Sequence, residues 1–201
     1  MEHESENRQQ GFSLIEIMIS MAIGMVILTA LSTTFLIQRD VYAIQDQINE
    51  AVQTVRATME MMTREIKMAG YDPTDNDFSG VIYSADQLQI LSDHTDGVGG
   101  VTGDPNENIT YKYYDTATYP KQLKRKTGNG YFQPFAENIE AFTFQYLDST
   151  GTATTTTASI RQVRITITAR TEKADSDYPE NGGYRTVTMT SLVVPPNLSF
   201  P

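Results

Sequence analysis

Gly11–Ile37 reads GFSLIEIMISMAIGMVILTALSTTFLI, a glycine at the edge of a polar leader followed by a long apolar run. From Ile17 to Ile37, 21 consecutive residues carry no charge. At about 1.5 Å rise per residue, a helix of that length crosses a hydrocarbon layer of about 30 Å. One acid, Glu16, interrupts the apolar series near its start. A carboxylate inside a spanning segment costs about 2.5 to 3.5 kcal/mol at the centre and less near an end, so its presence asks for a partner or a function. Two local explanations exist. Ser13 and Glu16 have the S-x-x-E spacing of a capping box, and a glutamate this close to the segment end can reach the headgroups.

An ordinary secretory signal would have a basic leader, an apolar core of about 7 to 15 residues and a small-residue cleavage site after that core. Here the apolar run is longer, and the leader MEHESENRQQG carries Glu2, Glu4 and Glu6 against Arg8. Gly11-Phe12-Ser13-Leu14-Ile15-Glu16 instead resembles the type III signal of type IV prepilins and pseudopilins. That resemblance implies cleavage after Gly11 by prepilin peptidase, N-methylation of Phe12 as the new N-terminus, and an assembly role for Glu16. In a filament the amine of Phe12 would pair with Glu16 of a neighbouring chain, an attraction strengthened by low dielectric but opposed by the desolvation of both groups. The acidic leader departs from the basic leaders usual in that family. A cytoplasmic N-terminus and a periplasmic head therefore follow from the resemblance more than from the charge.

Beyond the membrane run, apolar residues recur at Val41, Ile44, Ile48, Ala51, Val52, Val55, Met59, Met62, Ile66 and Ala69, mostly in steps of three and four. This spacing predicts one face of a helix, with Arg39, Asp40, Asp46, Glu50 and Arg56 on the other. No proline interrupts positions 12 to 69, and Gly70 with Pro73 supplies a stop. The methionines at 59, 61, 62 and 68 read as adaptable packing.

After Tyr71 short strand-like runs follow at Val81–Tyr83, Gln87–Leu91, Ile109–Tyr114 and Gln122–Lys126. Three longer ones with period-two alternation come at Ile139–Leu147, Gln162–Arg170 and Tyr184–Val194. Alternation means one face buried and one wet, which suits an antiparallel sheet packed on the helix. The expected fold class is α+β, the type IV pilin fold: a long N-terminal helix, membrane half then amphipathic half, on an antiparallel β-sheet head. The expected divisions are 1–11 as cleaved leader, 12–40 as transmembrane and filament-core helix, and 41–201 as globular head.

The formal net charge is −10, and removing the leader takes away three acids and one base, leaving −8. Such a balance disfavours nonspecific nucleic-acid binding. With zero cysteines, thiol catalysis and disulfide staples are excluded. His3 and His94 are the only histidines, and no GxSxG, HExxH, P-loop or dinucleotide fingerprint occurs, so an enzyme is not expected. Lys121, Lys124, Arg125 and Lys126 form the one basic cluster, beside Tyr119, Tyr131 and Phe132. With Gly128-Asn129-Gly130 following, it reads as a solvated edge strand entering a hairpin.

Two acidic loops offer oxygen ligands. Asp93, Asp96, Asp104 and Glu107 could supply part of a six-to-eight-oxygen calcium shell, against the plainer reading of a solvated turn. Asp75, Asp77 and Ser79, with Gly80 and with Asp86 at the twelfth position, resemble an EF-hand loop but lack its final Glu and flanking helices.

The head segments MTREIKMAGYDP, PFAENIEAFTFQYLDSTG and IRQVRITITAR are similar to those of PilW-type minor pilins, with a related pattern in J-type minor pseudopilins of type II secretion. The resemblance implies a structural minor subunit of a type IV pilus that primes assembly or sits at the tip. Alternatives are a type II pseudopilin or a singly anchored periplasmic binding domain. Its implied partners are prepilin peptidase, other major and minor pilins and the inner-membrane assembly platform. The implied location is the inner membrane first, then a pilus at the cell surface.

Overall fold

The computed structural model describes residues 11–73, 78–94 and 106–198. By its contacts the chain divides into two units, Met1–Gln45 and Asp46–Pro201.

In the first unit Gly11, Phe12 and Ser13 have no regular secondary structure and the chain is helical from Leu14 onward, part of α1 (Leu14–Lys67). Every large apolar side chain from Phe12 to Ile37 is at least half exposed. Four hydroxyls within this run find their acceptor inside the helix. Ser20 donates to Glu16 O at 2.7 Å, Thr29 to Met25 O at 2.8 Å, and Thr33 and Thr34 to Thr29 O and Ala30 O at 3.0 Å each. Each side chain thus satisfies its own donor on the carbonyl four residues back, the arrangement a helix needs where water is excluded. The segment is long and apolar enough to cross a membrane, with a mean hydropathy of 2.3 in its most apolar window.

In the second unit α1 continues to Lys67 and buries Ala51, Val55, Thr58, Met59, Met62 and Ile66, the expected stripe. The helix ends by tightening: Met68 and Ala69 donate to Glu65 O and Ile66 O, three residues back, and Gly70 then takes φ 73°. Gly70 is thus the left-handed stop that its position predicted. Among the described residues, eight strands follow in two antiparallel sheets. The first holds β1 (Val81–Ile82), β2 (Gln87–Leu91), β3 (Asn108–Tyr114), β4 (Gln122–Thr127) and β5 (Gln133–Ala136), in that spatial order. The second holds β6 (Ile139–Leu147), β7 (Gln162–Arg170) and β8 (Thr186–Val193), also in order.

Alternation decides which faces turn inward. Val163, Ile165, Ile167 and Ala169 of β7 are buried between partly wet Arg164, Thr166, Thr168 and Arg170, and Phe142 and Tyr146 of β6 lie on the same inner face. These residues join Leu88, Ile90, Ile109, Tyr111 and Leu123 of the first sheet and the helix stripe in one core. On the wet face the threonines pair across strands, Thr166 with Thr190 at 2.9 Å and Thr168 with Thr188 at 2.8 Å.

Two close contacts fix helix against sheet. The Glu65 carboxylate, on the last turns of α1, accepts from the Tyr111 hydroxyl of β3 and from Arg125 of β4, whose Nη2 lies 2.7 Å from Oε1. These side chains are mostly buried, so the pair attracts in reduced dielectric and each charge has a hydrogen-bonded partner. Burial and the Glu65 charge together push the Tyr111 phenol far above its ordinary range. The second contact is between backbones: a Cβ on Gly80 would stand 2.1 Å from Gly70 N and 2.5 Å from Gly70 Cα, so only glycine fits where the chain re-enters beside the helix end.

The strand boundaries agree with the sequence reading to within two residues, with two differences. The head has two sheets where one was expected. The basic cluster is not on an edge: β4 runs between β3 and β5, and β5 was not foreseen because Pro134 argues against a strand. Pro134 is tolerated there because β5 is itself the edge, where one N–H can be spared.

Candidate functional site

The candidate site is the start of α1. Gly11, Phe12 and Ser13 precede the helix, and Phe12 is 85% exposed. Ser13 occupies the N-cap position, its carbonyl accepting from Ile17 N at 3.2 Å. Glu16 folds back so that Oε2 accepts from Ser13 N at 3.0 Å. This is half of a capping box, and it places a carboxylate on the first turn, where the helix dipole favours negative charge. The local explanation for Glu16 is therefore realised in the single chain, and the carboxylate keeps acceptor capacity for a second donor beside Ser13 N–H. The Gly11–Phe12 bond lies outside regular secondary structure, between exposed residues just before the first helical turn.

The remaining candidates resolve differently. Of the first calcium loop, Asp93 and Glu107 are described and both are buried, at 2% and 1% exposure, while Asp96 and Asp104 lie outside the described residues. Glu107 Oε1 accepts from His94 N at 3.0 Å. Among the described residues no three His, Cys, Asp or Glu side chains converge on a metal position. Of the second loop, Asp75 and Asp77 lie outside the described residues, and Asp86 is engaged with Lys112 Nζ at 2.6 Å and Ser84 Oγ at 2.9 Å. Those bonds hold the Asp86 carboxyl below its ordinary range.

His94 Nε2 sits 2.9 Å from Ser92 Oγ, a serine–histidine pair that spacing alone did not flag. Ser92 is only 2% exposed, so a substrate carbonyl has no approach to its oxygen.

The cations of the basic cluster are used internally. Lys121 bridges Asp115 at 2.8 Å and Glu140 at 3.0 Å, and Arg125 is held by Glu65. Lys124 lies 3.0 Å from the Tyr119 ring centroid and Lys126 lies 5.6 Å from that of Phe132. The loop between β7 and β8, in a chain without cysteines, is closed by Arg185 donating to Asp175 at 2.8 Å, with Arg185 also over the Tyr178 ring.

With this geometry in hand, residues 7–32 match the prokaryotic N-terminal methylation motif. A comparison with curated proteins found no match. Among solved structures, the chain is similar to a type IV-like pilin from Thermus thermophilus at 16% identity and a TM-score of 0.47, over 74% of this chain and 98% of that one. The methylation motif thus stands on an apolar helix that is continued by a head of antiparallel sheet.

Proposed function

We propose that this chain is a minor subunit of a type IV pilus of the PilW type, cut by prepilin peptidase after Gly11 and methylated on Phe12. The observation that carries the reading is the methylation motif standing at the exposed start of α1, immediately before an apolar run with no cover in the single chain. About 30 Å of unpartnered apolar helix needs lipid before assembly and neighbouring helices afterwards. In the filament the Glu16 carboxylate accepts from the amine of an adjacent Phe12 while one oxygen still caps Ser13 N–H. A type II pseudopilin shares every one of these features and differs in the machine it joins.

Mass spectrometry of the membrane-extracted chain should find N-methylated Phe12 as the first residue. An intact leader in cells with active prepilin peptidase defeats the assignment. In sheared surface filaments the chain should be present at low copy, and Glu16→Ala should be cut normally yet depleted from them. Recovery of Glu16→Ala at wild-type levels would leave Glu16 as a helix cap only.

Calcium at the segment bounded by Asp93 and Glu107 is a further part of the proposal. Two buried carboxylates anchor its ends and supply hard oxygen donors. Millimolar calcium should raise the melting temperature of the chain, and Asp93→Asn should abolish the rise; no rise removes the ion from the account.

A further inference from the structure

β6 is an end strand of the second sheet, with β7 on one side only. Along its other side most of the edge is taken. At one end Thr154 N donates to Tyr146 O at 3.0 Å; at the other Ile139 N donates to Lys121 O at 2.9 Å and the Tyr113 hydroxyl donates to Glu140 O at 3.0 Å. Tyr146 O thus points away from β7. In an antiparallel ladder the bonded positions alternate, so the N–H and C=O of Phe144 point the same way. Phe142, the next such position, is buried at 8%, whereas Phe144 is partly exposed. Phe144 lines a recess of about 320 Å³ bounded by β6, the turn that follows β1 and the loop that follows β6.

The recess combines aromatic rings with a polar rim. Phe144 and Tyr83 flank Tyr146, their ring centroids 5.5 and 5.4 Å from its own. Tyr146 is buried, and its hydroxyl donates to Gln87 O at 3.1 Å. Tyr83 is anchored by its N–H on the Thr157 hydroxyl at 3.2 Å, yet the residue is 38% exposed. Around the rings stand the hydroxyls of Ser84, Thr154 and Thr155 and the amide of Gln145, whose Oε1 accepts from Arg164 at 2.8 Å, leaving Nε2 as a donor. Each described residue lining the recess is uncharged. A charged ligand would therefore lose hydration without gaining a counter-ion from them. A wholly apolar ligand would leave the Phe144 N–H and C=O unanswered, and a peptide strand would find a single open residue, too little for a ladder. We propose that the recess binds one neutral sugar ring of a glycan. Its C–H face lies on Tyr83 and Phe144, and its hydroxyls, each both donor and acceptor, meet the Phe144 backbone and the rim. The inference does not depend on the filament assignment, since it rests on the head alone.

The test uses the full chain in micelles of a detergent without a sugar headgroup. The probes are the methyl glycosides of glucose, galactose, mannose and N-acetylglucosamine, with methyl glucuronide as the anionic comparator and cyclohexanol as the apolar one. In a saturation-transfer NMR titration at least one neutral glycoside should bind with a Kd of about 1 to 10 mM. The glucuronide and cyclohexanol should bind at least about tenfold more weakly than that glycoside. Hydrogen exchange over residues 142–146 should slow on adding it. Tyr83→Ala should weaken binding at least about tenfold, and Thr155→Val, which keeps the shape of an exposed rim residue, about threefold with an unchanged thermal melt. Four results each overturn the proposal: no neutral glycoside binding in that range, the glucuronide or cyclohexanol binding as tightly as the best of them, no slowing at 142–146, or unchanged binding in both variants.

Discussion

The first 45 residues and the rest of the chain share one helix but answer to opposite rules. From Phe12 to Ile37 the large apolar side chains are exposed, and Ser20, Thr29, Thr33 and Thr34 are satisfied within the helix. From Ala51 onward the apolar stripe is buried under two sheets and the polar groups bridge elements. The same residue types, leucine, isoleucine and methionine, thus face an outside medium in one region and a protein core in the other. The lesson is that apolarity alone does not say where a helix will be covered. Periodicity does: an all-round apolar run awaits lipid or other helices, and a one-sided run carries its own sheet.

The sharpest way to break this contrast is to add one methyl group in each region. Gly80→Ala places a Cβ 2.1 Å from the Gly70 backbone, which cannot rotate away. The head should lose about 3 kcal/mol, a fall in melting temperature of about 10 °C in a calorimetric scan. An unchanged melt would mean that the two backbones separate freely.

A smaller effect is expected from the charged clamp. Glu65→Gln leaves Arg125 without its carboxylate and weakens the acceptor for Tyr111, so about 2 kcal/mol should go, read from a urea midpoint. Glu65→Gln combined with Arg125→Met should recover part of the loss, because the stranded charge is then gone. Failure to recover would show that the pair contributes more than its mutual compensation.

Alkali acts on the head alone. Burial pushes the Tyr146 phenol up to about 12, and Tyr111 is raised further. Both groups hold their protons in the folded chain after the unfolded chain has released them. Their contribution is complete below pH 10 and falls as pH rises from 10 toward 12. Melting temperatures taken across that window should decline, and Tyr146→Phe should flatten part of the slope.

The smallest effect is expected at Gly24, where an added Cβ meets nothing within 4 Å. Gly24→Ala should leave the head's melt unchanged and raise helicity slightly by circular dichroism, since alanine favours a helix interior by about 1 kcal/mol over glycine. A loss of this variant from filaments, with the single chain unaffected, would show that neighbouring helices approach at this glycine.

Much of the head was legible because its clues are local. Alternation in Gln162–Arg170 and Ile139–Leu147 fixed both the strands and their inner faces, and Gly70 marked the helix end. The N-terminal motif was legible for the same reason, since Gly11, Phe12 and Glu16 are near neighbours in sequence. What stayed hidden depends on partners far apart in the chain. Pro134 hid β5, which exists because β4 offers it an edge. Lys121 and Arg125 read as part of a solvated cluster, although each is taken up by a carboxylate that folding brings from elsewhere, Glu140 and Glu65.

By itself, then, the sequence determined the apolar helix, its methylation motif and the order and facing of most strands, because dihedral preference and hydrophobic period act over a few residues. Only the tertiary structure decided that the strands divide into two sheets, that Glu65 locks the helix to β3 and β4, and that Gly80 must be bare. Those outcomes turn on close packing and on the pairing of buried polar groups, and both are set by which residues meet across the fold, not by which are neighbours along the chain.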